Sequence, residues 1–168
     1  FFGVNSEYRF DVLDETGELV RVIRKDTERR PLAESDKDEF RRLIQEAWEE
    51  AGMPPEAVSM MSQAISFAEH YPAYLNILGG PDGTIWVQGI QTPEEVHESG
   101  VTFNLQDMGG RSWEVFDAEG RLLGTVEMPP RFTPLSFQDE VIYGVSMDEL
   151  DIQYVTRVRL ERPQPTVG

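Results

Sequence analysis

A hairpin motif that occurs twice in the sequence constrains the fold more than any other feature. Residues 10–19 align with residues 113–122 so that aromatic matches aromatic, acid matches acid, and Val, Asp, Gly and Leu are identical. In each copy, alternating apolar residues lead into an Asp-x-x-Gly turn, which is the pattern of a β-hairpin. Repetition of one supersecondary unit is typical of repeat folds, so the sequence predicts a β-rich repeat protein.

The spacing of the copies indicates the type of repeat. A weaker copy of the first strand occurs at residues 154–160, 41 residues after Trp113, and one four-stranded propeller blade takes about 40 to 45 residues. Residues 74–78, 84–90, 112–117 and 122–128 would form strands A to D of one blade. Residues 8–26 would then end the preceding blade, and residues 132–160 would supply strands A, B and C of the next.

A helical insertion accounts for much of the excess length between the two hairpins. From Ser35 onward the apolar residues have helical spacing, and Ser35 with Asp38 resembles a capping box. A second helix is predicted at 56–65, so the insertion covers about 35–65. Thr92 and Glu95 repeat the capping pattern and predict a helical turn at the start of a polar loop that runs to Arg111.

Composition excludes several classes of function. The 168 residues include 31 acidic and 15 basic side chains, a formal net charge of -16, so nucleic acid is an unfavourable partner and a neutral or cationic one is easier to accommodate. The absence of cysteine excludes disulfides and thiolate zinc sites. Every apolar run is far shorter than the roughly 20 residues that span a bilayer, so no transmembrane segment is predicted.

The segments FDVLDETGELVRVI, YPAYLNILGGPDGTIWVQ, WEVFDAEGRLLGTVEMP and DEVIYGVSMDELDIQYVTRVRL resemble the C-terminal part of bacterial six-bladed β-propeller proteins of the NHL and TolB-like groups. The resemblance implies an all-β fold with about two and a half four-stranded antiparallel blades in residues 1–160, followed by a polar tail at 161–168. It also implies further N-terminal blades of the same chain and a periplasmic or extracellular location.

The two long insertions, 27–72 between blades and 91–111 within one blade, fall in connections that open on one face of a propeller, where ligands usually bind. The polar residues in or beside these connections are the candidate ligand-binding residues: Glu69, His70, Tyr71, His97, Arg111 and Arg131. For His70 the alternative is a structural hydrogen-bonding role beside Tyr71 and Pro72. The Asp-x-x-Gly turns explain Asp14 and Asp117 without a metal, and no metal ligand set is predicted.

The leading functional hypothesis is a binding module that recognises a small molecule, a glycan or a protein on the face that carries the insertions. The sequence contains no catalytic motif and indicates no cofactor. One alternative is a propeller hydrolase or lyase with a divalent metal at the channel mouth. Another is an independent α+β protein without a ring, against which the duplicated hairpin argues.

Overall fold

The computed structural model describes residues 1–98, 108–148, 150 and 152–161, which form antiparallel sheets and a few helices. The chain is therefore mostly β, as predicted, and a closed ring of blades is not present in these residues. The sheets have two, four and three strands, in the orders β1-β2, β3-β4-β5-β6 and β7-β8-β9. The elements in chain order are β1 (Arg9–Leu13), β2 (Leu19–Arg24), α1 (Glu34–Glu50), α2 (Pro55–Ala64), β3 (Ile77–Gly79), β4 (Ile85–Ile90), α3 (Pro93–Glu98), β5 (Gly109–Phe116), β6 (Leu122–Glu127), β7 (Phe132–Gln138), β8 (Val141–Met147) and β9 (Gln153–Arg159).

The chain divides into two compact units, and the single propeller domain expected over 1–160 stays a prediction. Unit 1 comprises Phe1–Leu75 and Gly89–Gly110, and unit 2 comprises Asn76–Gln88 and Arg111–Gly168. Unit 1 contains the β1-β2 hairpin and all three helices. It has a hydrophobic cluster of its own, formed by the helices and the segments beside them. The proposed tail 161–168 lies outside the described residues apart from Glu161, as do residues 99–107 of the polar loop.

Unit 2 is built from regular sheets. The four-stranded sheet has the predicted strand order, and β3 contacts β7 of the three-stranded sheet. Buried side chains from β4, β5, β7 and β8, together with Met128 just after β6, form one core, because alternate residues of a strand point to the same face. That core contains Trp86, Trp113, Val115, Met128, Phe132 and Ile142.

The two hairpins recognised in the sequence have the same pairing. Phe10 lies opposite Ile23, and Trp113 lies opposite Val126, so the register is conserved at an offset of 103 residues. Both hairpins also shift register at equivalent places. The shift leaves one extra residue in the second strand of each hairpin, Val20 in β2 and Leu123 in β6. These extra residues are β-bulges.

The turn of each hairpin is held by its aspartate. The carboxylate accepts hydrogen bonds from the backbone N–H groups two and four residues later, which closes the turn locally. The same arrangement occurs between β8 and β9, although no glycine follows there. The distances are 2.8 and 3.0 Å for Asp14 with Thr16 and Glu18, 3.0 and 2.8 Å for Asp117 with Glu119 and Arg121, and 2.9 and 3.0 Å for Asp148 with Leu150 and Ile152.

The predicted helices form, but the first begins differently. Helix α1 starts at Glu34, one residue before Ser35, and its N-cap is Ala33, which makes no side-chain cap bond. The Ser35 capping box was therefore wrong, because Ser35 already lies inside the helix. Gly52, at φ +79°, follows the helix in the left-handed region that favours glycine. In the described part of the chain, no helix is both long and apolar enough to cross a membrane.

Candidate functional site

The six candidate residues fall into two groups. Arg111 and Arg131 belong to unit 2, where each guanidinium hydrogen-bonds a backbone carbonyl. Arg111 Nε donates to Met128 O at 2.9 Å, and Arg131 donates to Asp148 O. Arg131 also has a left-handed backbone, at φ +52°. Both arginines thus hold loop backbone beside the sheets of unit 2.

The other four candidates, Glu69, His70, Tyr71 and His97, belong to unit 1. The first three lie on a segment whose backbone pairs with residues 30–32. Leu32 N donates to Glu69 O at 2.9 Å, and Tyr71 N donates to Arg30 O at 2.9 Å. His70 faces Pro31 in the bridge between them. This pairing brings the two ends of the helical insertion together.

The two insertions share one hydrophobic cluster, to which Tyr71 belongs. Phe40 of α1, Tyr71 and Val96 of α3 are all buried and pack together. The rings of Phe40 and Tyr71 meet edge to face, with centroids 6.3 Å apart and planes at 72°. This geometry is favourable for aromatic pairs. The helical insertion and the start of the polar loop are therefore packed against each other.

An ion pair joins the same two insertions above this cluster. Arg30 donates to both carboxylate oxygens of Glu95, at 3.2 and 2.8 Å, and both side chains remain nearly half exposed. Glu95 also accepts from Thr92 N at 2.9 Å, while Thr92 Oγ1 accepts from Glu95 N at 3.2 Å. This is the predicted capping box of α3, so one carboxylate both caps the helix and binds the other insertion.

The electrostatics keep Glu95 ionised and Tyr71 neutral. Burial opposes ionisation of Glu95, but hydrogen bonds from Arg30 and Thr92 outweigh it and lower the pKa of the carboxyl group. Burial, followed by the influence of the Asp36 carboxylate, raises the pKa of the Tyr71 hydroxyl. The Arg30 guanidinium lies 5.8 Å from the centroid of the Tyr71 ring, within cation–π range.

His97 lies on the exposed side of α3. The pKa of Glu39 in α1 is lowered chiefly by a hydrogen bond from Arg42, with a smaller electrostatic contribution from His97. Arg42 binds Glu39 at 2.7 Å and Glu46 at 2.6 Å, so this flank of α1 is a chain of alternating charges. We call the polar residues that surround the shared hydrophobic cluster the insertion cluster: Arg30, Asp36, Glu39, Tyr71, Glu95 and His97.

Sequence analysis missed Arg30, Asp36 and Glu39 as members of the insertion cluster. The capping pattern at Thr92 placed Glu95 correctly on α3, but nothing local to Arg30 distinguishes it from its basic neighbours. Its partner is 65 residues away, and a contact of that separation depends on how the insertions pack. A bidentate Arg–Glu pair beside a buried aromatic ring can recognise polar or charged groups.

The described residues contain no group of three or more His, Asp or Glu side chains placed to hold a metal ion. Comparisons with known proteins found no family model, no curated protein and no solved structure that matches this chain. What can be inferred about function therefore comes from the residues of the chain itself.

Proposed function

We propose that this protein is a binding module of β-propeller type and that the insertion cluster is its recognition surface. The duplicated hairpin and its conserved register support the repeat architecture. So do the four-stranded sheet and the contact between β3 and β7, because innermost strands of neighbouring blades lie side by side in a propeller.

The observation that carries the proposal is the packing of two long connections against each other. Segments far apart in the chain share the Phe40, Tyr71 and Val96 cluster, and the Arg30–Glu95 pair fixes them at the surface. Long connections in compact domains are commonly functional, and rigid support is what positions recognition groups. A connection that only links two strands does not require a hydrophobic cluster of this kind.

The negative charge of unit 1 indicates which class of ligand it would bind. Its two segments contain 20 acidic and 9 basic residues, a formal charge of −11. Glu94 and Glu98, four residues apart on α3, are exposed beside the Arg30–Glu95 pair. A cationic or neutral group on a small molecule, glycan or protein is therefore favoured over a polyanion.

The test uses the full chain with a lysine-rich peptide and maltohexaose as cationic and neutral probes, and heparin as the polyanion. We expect Glu94→Gln with Glu98→Gln to weaken binding of the cationic peptide at least fivefold in calorimetry. The matched control is Glu49→Gln with Glu50→Gln, which removes the same charge from the far end of α1. Glu95 is left intact so that the ion pair and the helix cap survive.

Equal weakening by both double variants would show that the peptide senses only net charge, and the insertion cluster would then not be the recognition surface. Preferred binding of heparin would contradict the predicted ligand class. The propeller part of the proposal is tested separately, by reading upstream coding sequence for further copies of the Asp-x-x-Gly hairpin. We expect three or four more copies. Finding no further copy would contradict the ring.

A further inference from the structure

Strand β9 has an open edge among the residues that the structure describes. It is the last strand in the order β7-β8-β9. Leu160 N donates to Glu140 O at 2.8 Å, and Asp148 N donates to Ile152 O at 3.1 Å, so even-numbered residues bond toward β8. Because antiparallel strands alternate, the N–H and C=O groups of Gln153, Val155, Arg157 and Arg159 point to the open edge.

Strands β2 and β6, which end the other two sheets, are interrupted by bulges, whereas β9 is not. Both β2 and β6 carry a bulge, at Val20 and Leu123, and bulges hinder pairing of an edge with another chain. Strand β9 pairs with β8 in unbroken register over seven residues, from Val141 with Arg159 to Met147 with Gln153. A regular edge of this length is a template for another strand.

The side chains of β9 favour a particular occupant. Val155, at the middle of the strand, is 89% exposed, and the adjacent Tyr154 is 50% exposed. In the sequence, three acids (Asp148, Glu149 and Asp151) precede the strand, and its second half carries Arg157 and Arg159. Such a charge pattern is complementary to itself when two copies run antiparallel, since the acidic end of one meets the basic end of the other.

We propose that β9 pairs with β9 of a second copy of this chain, antiparallel and around a two-fold axis at Val155. The two Val155 residues lie opposite each other as a hydrogen-bonded pair, and Gln153 of each copy lies opposite Arg157 of the other. The two β7-β8-β9 sheets then form one continuous six-stranded sheet. The contact is isologous, because both copies contribute the same strand. It needs no ligand, and it requires that no fourth strand of the same chain, such as a closed ring would supply to this blade, lies along β9.

The size of the contact sets its strength. A single pair of strands buries less than the roughly 1,200 Å² of a standard stable interface. Each copy also carries a formal net charge of -16, which opposes association. Arg159 is paired only loosely with Glu140, at 3.6 Å with both side chains well exposed, so it is accessible to a partner. We therefore expect a weak dimer whose population rises with protein concentration.

A disulfide tests the register directly, because the chain contains no cysteine. Hydrogen-bonded antiparallel pairs place Cα atoms about 5.5 Å apart, which suits a disulfide. We expect Val155→Cys to give a covalent dimer under mild oxidation, at a rate at least tenfold above two single-cysteine controls. Arg157→Cys lies on the same face but away from the axis, and Leu123→Cys is exposed on the bulged strand β6.

Sedimentation of the cysteine-free chain from 10 µM to 1 mM supplies the second measurement. Arg157→Gln with Arg159→Gln should weaken dimerisation about fivefold or more, whereas Arg21→Gln with Arg24→Gln, an equal change of charge on β2, should not. Faster cross-linking of Arg157→Cys than of Val155→Cys would overturn the register. A wild-type monomer at 1 mM, with Val155→Cys no faster than Leu123→Cys, would overturn the dimer and leave the edge to a strand of a longer chain.

Discussion

The β1-β2 and β5-β6 hairpins share their sequence pattern, turn, register and bulge, yet they stand in different surroundings. Phe10 packs among Tyr8 and Tyr74 in unit 1, while Trp113 belongs to the core of unit 2. The first hairpin forms a sheet of two strands and the second completes a sheet of four. The comparison teaches that the hairpin is specified locally, since it forms in both contexts, whereas its stability is supplied by what covers it.

The largest effect is expected from removing the equivalent aromatic residues. Trp113, 1% exposed, joins a core of six buried side chains, so Trp113→Ala should cost about 3–5 kcal/mol of the free energy of unfolding. Phe10→Ala should cost less, because the neighbouring tyrosine rings can partly fill the space. Urea denaturation measures both. Leu123→Ala, at a 62% exposed position, is the control and should change stability by less than about 0.5 kcal/mol.

A cost for Phe10→Ala equal to or above that of Trp113→Ala would break the comparison. It would mean that the two-stranded hairpin relies on its covering side chain as much as the four-stranded sheet does.

An intermediate effect is expected from the turn aspartates. Asp117→Ala removes an acceptor of two backbone N–H groups and should cost about 1 kcal/mol. Asp14→Ala removes the equivalent two bonds and a third from the Thr16 hydroxyl, at 2.6 Å, but from a fully exposed turn, so we expect a smaller effect on the denaturation midpoint. Asp117→Asn keeps the acceptor oxygen and should be nearly neutral. If Asp117→Asn lost as much stability as Asp117→Ala, the side-chain oxygen at this position would not stabilise the turn by accepting hydrogen bonds.

The smallest effect concerns the Arg30–Glu95 pair of unit 1. The folded pKa of Glu95 lies below its ordinary value of 4.5, so the stabilisation is complete above that pH and is lost as pH falls through the folded pKa. Arg30→Met should therefore destabilise at pH 6, by less than about 1 kcal/mol for a half-exposed pair. The difference in free energy of unfolding between Arg30→Met and wild type should shrink toward pH 3. Denaturation midpoints at pH 6, 5, 4 and 3 measure this.

The control is Arg29→Met, which removes the same charge from the adjacent residue. A constant difference between Arg30→Met and wild type across the pH series would show that Arg30 stabilises by packing on Tyr71 and not through the carboxylate.

What the sequence predicted correctly rests on local patterns. The Asp-x-x-Gly turns, the two helices of the insertion and the Thr92–Glu95 cap all depend on residues a few positions apart. The strand order of the four-stranded sheet was predicted from the spacing of the repeat instead. The start of α1 was missed because its N-cap, Ala33, makes no side-chain cap bond and so leaves no capping signal in the sequence. The serine two residues later then looks like the cap although it lies inside the helix.

The insertion cluster was predicted only in part for a different reason. Tyr71 and His97 were identified from their positions in or beside long connections, but their role in the structure depends on contacts between connections. Arg30 reaches Glu95 across 65 residues, and Phe40 reaches Val96 across a similar distance. Such contacts are set by the packing of the helices, which no spacing in the sequence encodes. The division into two units follows from the same contacts.

The interrupted path of unit 1 has a consequence for synthesis of the chain. Its second segment begins at Gly89, after the chain has passed through residues of unit 2. At about 5–20 residues per second, the ribosome adds Glu95 several seconds after Arg30. During that interval Phe40 and Tyr71 lack Val96, their partner in the hydrophobic cluster, while the β1-β2 hairpin can form in microseconds. The nascent chain thus carries an incomplete hydrophobic cluster until Val96 is added, although its first hairpin can already pair.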